Sequence, residues 1–438
     1  MWIYTERYQQ IYKFKKTQYI GTYVLPSTLS LSIYPRLEGS ETELIPYFFS
    51  VVLPSLPAFG IDFENLRGVI IRLAMSDDSA PSQAVRNSLL ALAALYMLGS
   101  MQKASRFIAA ALNSLRASAQ KGIGLQQGMQ HIIAGMLLCS FEVSSHTLTE
   151  VIARSLIVKK IHTFSQSSSI WLVYLSGTKA VMNRFHQHGS YANGDQSLLF
   201  QWVFYYDTLA RLGIKHWRGY RSLQTQLAKD LGFGKGDSMF TDDEITRFGR
   251  SSHRALEILS ELCTGVLSPD DPRYRSTVYI SWLDQIENQL ASIRQELEHN
   301  VSLPDIGYQS ESVAVKELFV LAALLYMERK AKQLVGTSSK TDKWIEDAFL
   351  ILSKIDHCNK PFPLFIFGFD ARTDLRRRVI LEVIDRTIKK ANARGLVSLR
   401  FLLLRLWIQD DLNAEGNLDL ESNSCFFLSK CNFVPCLL

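Results

Sequence analysis

Apolar residues recur at every third or fourth position along most of this chain, and this spacing most constrains its fold. Between Pro361 and Leu412 it predicts two packed helices, the first with apolar stripes at Leu375, Val379, Val383, Ile380, Ile384 and Ile388. Lys389 and Lys390 would face the negative end of that helix before a glycine stop at Gly395. No segment shows sustained alternation of period two. The sequence therefore predicts an all-α fold, an array of packed antiparallel helices forming one large helical domain.

The same periodicity predicts helices upstream. Ser82 is expected to cap a helix that ends at Gly99, the next helix stops at Gly122, and a third ends near Val143. An aromatic-rich helix follows over residues 200–212. We predict a poorly ordered segment over residues 1–43, the helical domain over 44–412 with an insert at 146–168, and an irregular tail over 413–438. Our hypothesis is that the N-terminus is truncated. The insert and the tail would then be gene-model artefacts or lineage-specific additions.

Composition narrows the class of protein. The chain has 438 residues of which 47% are apolar, enough for a large buried core. Its net charge of +6 is spread along the chain and does not by itself indicate nucleic-acid binding. No apolar run approaches the roughly 20 residues that a membrane-spanning helix needs. Residues 1–7 lack the pattern of a secretory signal, so we predict an intracellular protein without a membrane partner.

The six cysteines do not form a zinc cluster. Cys139, Cys263 and Cys358 are far apart in the sequence, and the three near the C-terminus include no Cys-x-x-Cys pair. A closed zinc site needs ligands at short spacings. The first three read as buried core thiols, and we expect neither a metal nor another cofactor.

Several segments, in this order along the chain, carry a family resemblance. They are residues 89–93 and 109–112, 137–143, Trp171 with 174–177, 204–207 and the region of Trp407. Together they resemble the fungal-specific transcription factor domain, the regulatory region of fungal zinc binuclear cluster regulators. The resemblance implies a helical effector domain that follows a zinc cluster, acts in the nucleus and controls transcription. That cluster is not visible in this sequence, so DNA would be read only through a missing N-terminal module.

Three sets of residues are candidates for binding. Aromatic side chains at Trp202, Tyr205, Tyr206 and Trp217 either line a small-molecule effector pocket or build the core. A basic face at Arg376, Arg377, Arg386, Lys389 and Lys390 either binds polyanions or import receptors or is a solvated helix surface. A heptad pattern at Leu283, Ile286, Leu290, Ile293 and Leu297 forms a homodimer seam or packs within the chain.

No catalytic residue is predicted. Ser176 and Lys179 match the spacing of a serine acyl-enzyme, but its companion motifs are missing, and Lys179 reads as solvated. The glycine-rich stretch 231–238 lacks the spacing of a phosphate loop, and His186 and His188 have no further metal ligand nearby. The predicted function is a transcription regulator that binds proteins of the transcription machinery. The alternative is an α-helical scaffold or protein-interaction module unrelated to transcription.

Overall fold

The structure, a computed structural model, describes residues 41–56, 59–99, 101–119, 124–155, 170–186, 194–217, 254–267, 271–301, 308–332 and 338–412. These residues form helices and no β-strand, which confirms the predicted all-α fold. The described residues from Glu43 onward belong to one compact unit. The helices are α1 (Glu41–Tyr47), α2 (Leu53–Ser55), α3 (Phe63–Ala74), α4 (Ala80–Leu98), α5 (Met101–Ala119), α6 (Leu125–Ser155), α7 (Ile170–His186), α8 (Gly194–Trp217), α9 (Arg254–Gly265), α10 (Thr277–Val301), α11 (Tyr308–Tyr326), α12 (Ser339–Lys354), α13 (Pro361–Phe369), α14 (Asp374–Ala391) and α15 (Gly395–Leu412). π-Helical turns extend α1 over Phe48–Val52 and α11 over Met327–Ala331.

Two helices that are apolar on all sides organise the core. In α4, residues 88–96 are all buried, and the helix packs against α3, α5 and α6. In α11, residues 318–326 are all buried, and the helix packs against α10, α12 and α13. A helix that is apolar all round is stable only where neighbours cover every face, so each forms the centre of its half of the chain.

Helix α15, the last of the described helices, joins distant parts of the described chain. α15 packs against α6 and α13. Just before α15, the guanidinium group of Arg394 donates hydrogen bonds to the backbone carbonyl oxygens of Leu95, at 3.1 Å, and Tyr96, at 2.6 Å. These carbonyls belong to the last turn of α4, where the Leu95 oxygen also accepts from the backbone N–H of Gly99 at 3.1 Å. Gly99 ends α4 in the left-handed conformation with φ of 60°.

Several predicted helix boundaries are wrong. Ser79, not Ser82, is the N-cap of α4, since Pro81 is favoured inside the first turn, and Ser82 is buried. The third predicted helix does not end near Val143 but continues to Ser155, into the predicted insert.

The C-terminal pair also differs in detail from its prediction. Residues 361–369 form a helix of their own, α13, with proline at its start. Asn392, in the left-handed conformation with φ of 51°, ends α14. Gly395 therefore begins α15 instead of stopping the helix before it. Leu375 is 69% exposed, because it lies in the first turn on the side of α14 away from the core.

Other predictions fall on residues outside the described ranges. These are the order of residues 1–40 and 413–438, most of the insert 146–168, and the loop 231–238. None of the helices in the described ranges has the combination of length and hydrophobicity that crossing a bilayer requires.

Candidate functional site

A half-open cleft lies where six parts of the fold meet. Its walls come from the end of α2, the last turn of α4, the middle of α6, one turn of α8, the start of α13 and the turn into α15. The polar lining residues are Ser55, Tyr96, Ser140, Ser144, Tyr206 and Asn359. Because the walls include both the α4 and the α15 regions, the cleft joins segments that are about 300 residues apart in the sequence.

Hydroxyl groups form two pairs on the cleft wall. The Tyr96 hydroxyl lies 3.2 Å from Ser144 Oγ, and either oxygen can donate. Ser140 Oγ donates to the Met136 carbonyl oxygen at 2.9 Å and lies 3.0 Å from the Tyr206 hydroxyl. Since the single proton of Ser140 is used on Met136, the Tyr206 hydroxyl is the donor in the second pair. The wall thus presents neutral groups that both donate and accept hydrogen bonds.

The cleft is small and its lining is neutral. The space of about 360 Å³ between its walls includes the part open to solvent, and the enclosed part has room for little more than one water-sized group. None of the described residues that line it carries a charge. Lys360, next in sequence to Asn359, is buried, and burial lowers the pKa of its ammonium group to about 8.

The predicted aromatic set is only partly at this cleft. Tyr206 lines it, whereas Trp202 and Tyr205 are fully buried in the core. The rings of Trp202 and Tyr206 meet edge to face with centroids 6.3 Å apart. Trp217 ends α8, and its side chain lies outside the described part. Of the described side chains of the predicted set, Tyr206 is thus the one that borders the cleft, although it is only 1% exposed.

A buried ionic cluster stands beside the aromatic set. The fully buried carboxylate of Asp207 has Lys179 Nζ at 2.7 Å and Arg211 Nε at 2.9 Å. Arg211 also donates to Ser260 Oγ at 2.7 Å and to Thr264 Oγ1 at 3.0 Å. The cluster joins α7, α8 and α9.

The prediction that Lys179 is solvated is therefore wrong. The Asp207 carboxylate compensates the charge of the lysine and keeps it inside the core. Ser176, the other residue of that spacing, is half-buried on α7. Gly135 of α6 is so near Thr178 of α7 that a methyl group at Gly135 would overlap the threonine Oγ1.

The predicted basic face is largely occupied by contacts within the chain. Arg377 donates to Asp411 at 2.8 Å and lies over the Trp407 ring at 5.6 Å. Arg376 lies over the ring of Phe349, and Arg386 donates to the carbonyl oxygen of Ile355. The exposed Lys390 pairs with Asp356, while Lys389 is exposed. The five cations thus do not form one open patch.

The predicted seam faces other helices of the same chain. Leu283, Ile286, Leu290 and Ile293 are buried, and Leu297 is half-buried. α10 packs against α11 and α9. Arg294 on α10 also pairs with Glu317 of α11 at 3.2 Å and with Asp347 of α12 at 2.7 Å. A homodimer through this stripe would first have to remove α10 from these neighbours.

Two features of the site were missed from the sequence. Ser140 and Ser144 are spaced four apart, so their hydroxyls share one face of α6, and that spacing was the available signal. Asp207 and Arg211 are likewise four apart within an aromatic run. Nothing in the sequence pairs either of them with Lys179, since that contact depends on how α7 packs on α8.

A half-buried carboxyl group lies on the far side of α6. Burial raises the pKa of Glu142 to about 7. Its neighbour across the interface with α7 is Tyr174, whose pKa is raised by burial first and then by the charges of Glu142 and Cys139. Within the described ranges, no group of three or more His, Cys, Asp or Glu side chains is arranged to hold a metal ion.

Comparison with known proteins gives a consistent result. The family described as "Fungal specific transcription factor domain" matches residues 43–426. A curated relative, "Transcription factor iacI" from Pestalotiopsis fici, is 27% identical over 401 residues, covering 91% of this chain and 96% of the relative. No solved structure matches the chain significantly.

Proposed function

The chain belongs to the fungal-specific transcription factor domain family and is a transcription regulator, and we propose that it works by contact with partner proteins and not by chemical turnover. The match to the family over residues 43–426 is the observation that carries this proposal. The described residues support it, since the buried ionic groups pair with one another and are not directed at an open site.

We further propose that the helical domain regulates without a zinc cluster of its own. The relative named as a transcription factor is matched over 96% of its length, so little of that protein lies outside the same region. A separate DNA-binding module or protein would then supply DNA recognition. The partners in this proposal are proteins of the transcription machinery, with a homodimer as one form of the contact.

A reporter assay tests this function. The full chain is fused to a foreign DNA-binding module, and transcription from a promoter that carries the sites of that module is measured in a fungal cell. The module alone is the control. We expect the fusion to change transcription, in either direction, relative to the module. An expressed, folded fusion that leaves transcription unchanged would contradict regulation and favour the scaffold alternative.

Nuclear localisation is part of the proposal. The family acts on transcription, and Lys389 and Lys390 are exposed cations near the end of α14. A fluorescent fusion of the full chain is expected to concentrate in the nucleus. Uniform cytoplasmic fluorescence would oppose this part of the proposal, and Lys389→Ala in the same fusion measures whether the exposed cation contributes to import.

The cleft is the proposed effector site. Its neutral donors and acceptors match a single hydroxyl or carbonyl group of an uncharged metabolite, and that group would enter between Tyr206, Tyr96 and Ser144 while the rest of the molecule stays at the mouth of the cleft. A ligand there would touch both the α4 end and the α15 start, so it would favour one packing of these segments over another. Tyr206 is the residue that this proposed site shares with the aromatic set predicted from the sequence. The other proposed contacts come from residues that line the cleft.

A thermal-shift screen of uncharged metabolites tests the effector site. A ligand that binds only the folded chain raises the unfolding temperature. Ser144→Val, which removes a hydroxyl from the wall, is expected to abolish the shift. Ser353→Val, on the exposed side of α12, is the matched control and should preserve it. A shift that survives Ser144→Val would place the ligand elsewhere.

A further inference from the structure

Two exposed arginines, Arg273 and Arg275, lie in the turn that leads into α10. Arg273 pairs with Asp271 at 2.9 Å, and Arg275 lies over the ring of Tyr274 at 5.5 Å. The Arg273 side chain is 74% exposed, and an ion pair at such a site is weak because water competes for both partners. Both guanidinium groups are therefore accessible to carboxylates of another protein.

The first turn of α10 presents a hydroxyl group to solvent. Thr277 is exposed, and Val278 after it is 77% exposed. Ser276, the residue before the helix, differs from Thr277, because it is half-buried and its Oγ accepts from the backbone N–H of Tyr279 at 3.2 Å. Thr277 is thus the accessible hydroxyl at the start of this helix.

The spacing of Arg275 and Thr277 distinguishes this hydroxyl from others in the described ranges. There, an arginine stands two positions before a serine or threonine at Ser88, Ser118 and Thr277. Ser88 and Ser118 are buried. Protein kinases select substrates by the charges around the acceptor, and arginines before the acceptor fit a kinase with an acidic substrate groove. Thr277 combines this charge pattern with access to solvent.

We propose that Thr277 is phosphorylated by an arginine-directed protein kinase. Carboxylates of the kinase would bind Arg273 and Arg275, and an apolar pocket would receive Val278. The threonine Oγ1 forms a bond to the γ-phosphorus of ATP, the bond from that phosphorus to the β–γ bridging oxygen breaks, ADP leaves, and the hydroxyl proton passes to the kinase. The inference goes beyond the proposed function and does not depend on effector binding.

The chain can enter a kinase groove by opening one turn of helix. Thr277 and Val278 would leave the helix, and little apolar contact is lost because both side chains are already exposed. Opening also releases Arg275 from a φ of 64°, which is strained for a residue other than glycine. Tyr279 limits the opening, because it is buried and its hydroxyl donates to the Ala331 carbonyl oxygen at 3.3 Å.

The phosphate would remain favourable after the helix closes again. The first N–H groups of a helix have no partner within it and carry a partial positive charge, so a phosphate at this end is stabilised. Residues 271–277 contain two arginines and one aspartate, a net charge of +1. A phosphate of about −2 reverses the sign of this surface, and contacts with charged partners would respond to that change.

Phosphorylation of the full chain in vitro tests the proposal. The chain is incubated with labelled ATP, Mg²⁺ and the catalytic domain of protein kinase C, an arginine-directed kinase, and mass spectrometry identifies the labelled residue. We expect the label on Thr277. Arg275→Gln should lower the initial rate by about tenfold. Arg378→Gln, at an exposed position of α14, is the matched control and should leave the rate unchanged.

Two variants of the acceptor complete the test. Thr277→Val keeps the shape of the side chain without its hydroxyl and should abolish labelling, whereas Thr277→Ser should retain it. Circular dichroism checks that every variant is folded like the wild type. An unlabelled wild-type chain, label that persists in Thr277→Val, or equal rates for the wild type and Arg275→Gln would each overturn the proposal.

Discussion

Lys179 of α7 and Asp207 of α8 form an ion pair inside the core, with Nζ 2.7 Å from Oδ1. Arg211 Nε contacts the other carboxylate oxygen at 2.9 Å, so one anion holds two cations. The carboxylate is fully buried, so the cluster is stable only when cations and anion are present together. It fixes how α7 packs on α8 in the region beside the cleft.

Removing the Asp207 carboxylate should therefore destabilise the folded chain. We expect Asp207→Ala to lower the free energy of unfolding by about 3–5 kcal/mol, because two buried cations lose their partner. Urea denaturation of the full chain measures the change. Glu296→Gln, at an exposed position of α10, is the control and should stay within about 0.5 kcal/mol of the wild type.

A triple variant separates charge balance from packing. Lys179→Met, Asp207→Leu and Arg211→Met together replace the cluster with apolar side chains and should recover most of the lost stability. A single Asp207→Ala variant as stable as the Glu296→Gln control would show that the pair contributes nothing to folding.

Two glycines on facing helices should respond to alanine in opposite directions. A methyl group at Gly135 would overlap Thr178 Oγ1, whereas at Gly177 it would meet no atom within 4 Å. We expect Gly135→Ala to destabilise by about 1–3 kcal/mol. Gly177→Ala should stabilise by about 0.5–1 kcal/mol, because alanine favours the helix. Thermal and urea unfolding of both variants measure the two changes.

The overlap can be relieved from the other side of the interface. Thr178→Ala removes the oxygen that the new methyl group would strike, and the remaining Cβ lies at an ordinary contact distance of 3.5 Å. The double variant Gly135→Ala, Thr178→Ala should therefore be more stable than the sum of the single changes implies. Additive effects would mean that α6 and α7 adjust their spacing freely.

The Glu142 carboxyl should make stability depend on pH. Burial raises its pKa from an ordinary value of 4.5 to about 7, so between these values the folded chain binds more protons than the unfolded chain. Its contribution to stability is present below the lower value and is lost as the pH rises through the higher one. Glu142→Gln keeps a neutral side chain at every pH.

The measurement is a comparison of urea denaturation at about pH 5 and about pH 8. Relative to the wild type, Glu142→Gln should be more stable at the higher pH and gain little at the lower. Tyr174→Phe, which removes the facing phenol, tests whether that neighbour contributes. Parallel pH profiles for the wild type and Glu142→Gln would disprove the assignment.

Arg394 should couple the start of α15 to the end of α4. Its guanidinium donates to the carbonyl oxygens of Leu95 and Tyr96 and lies 4.4 Å from the centre of the Tyr96 ring. We expect Arg394→Ala to lower the free energy of unfolding by about 2 kcal/mol, since carbonyls at a helix end lose a charged donor. Arg378→Ala, at an exposed position of α14, should change little. If Arg394→Ala and Arg378→Ala were equally stable, Arg394 would not couple α15 to α4.

The helical stripes and several helix ends could be predicted because they depend on local rules. The stripe of Ile380, Val383 and Ile384 lies on one face of α14 and is buried as the period of 3.6 residues requires. Gly99 ends α4 because glycine adopts a positive φ without strain. Boundaries at Ser82 and Gly395 were wrong because neighbouring residues, Ser79 and Asn392, meet the same local requirement.

By itself, then, the sequence determined an all-helical chain with a large core and a family likeness, since side-chain period and order along the chain carry that information. The tertiary structure alone decided which residues meet. It placed Lys179 on Asp207, brought Tyr96, Ser144 and Tyr206 to one cleft, and turned the stripe of α10 inward. The physical reason is that apolar burial is not directional, so the partner of each helix face is chosen by close packing and charge pairing between segments far apart in the chain.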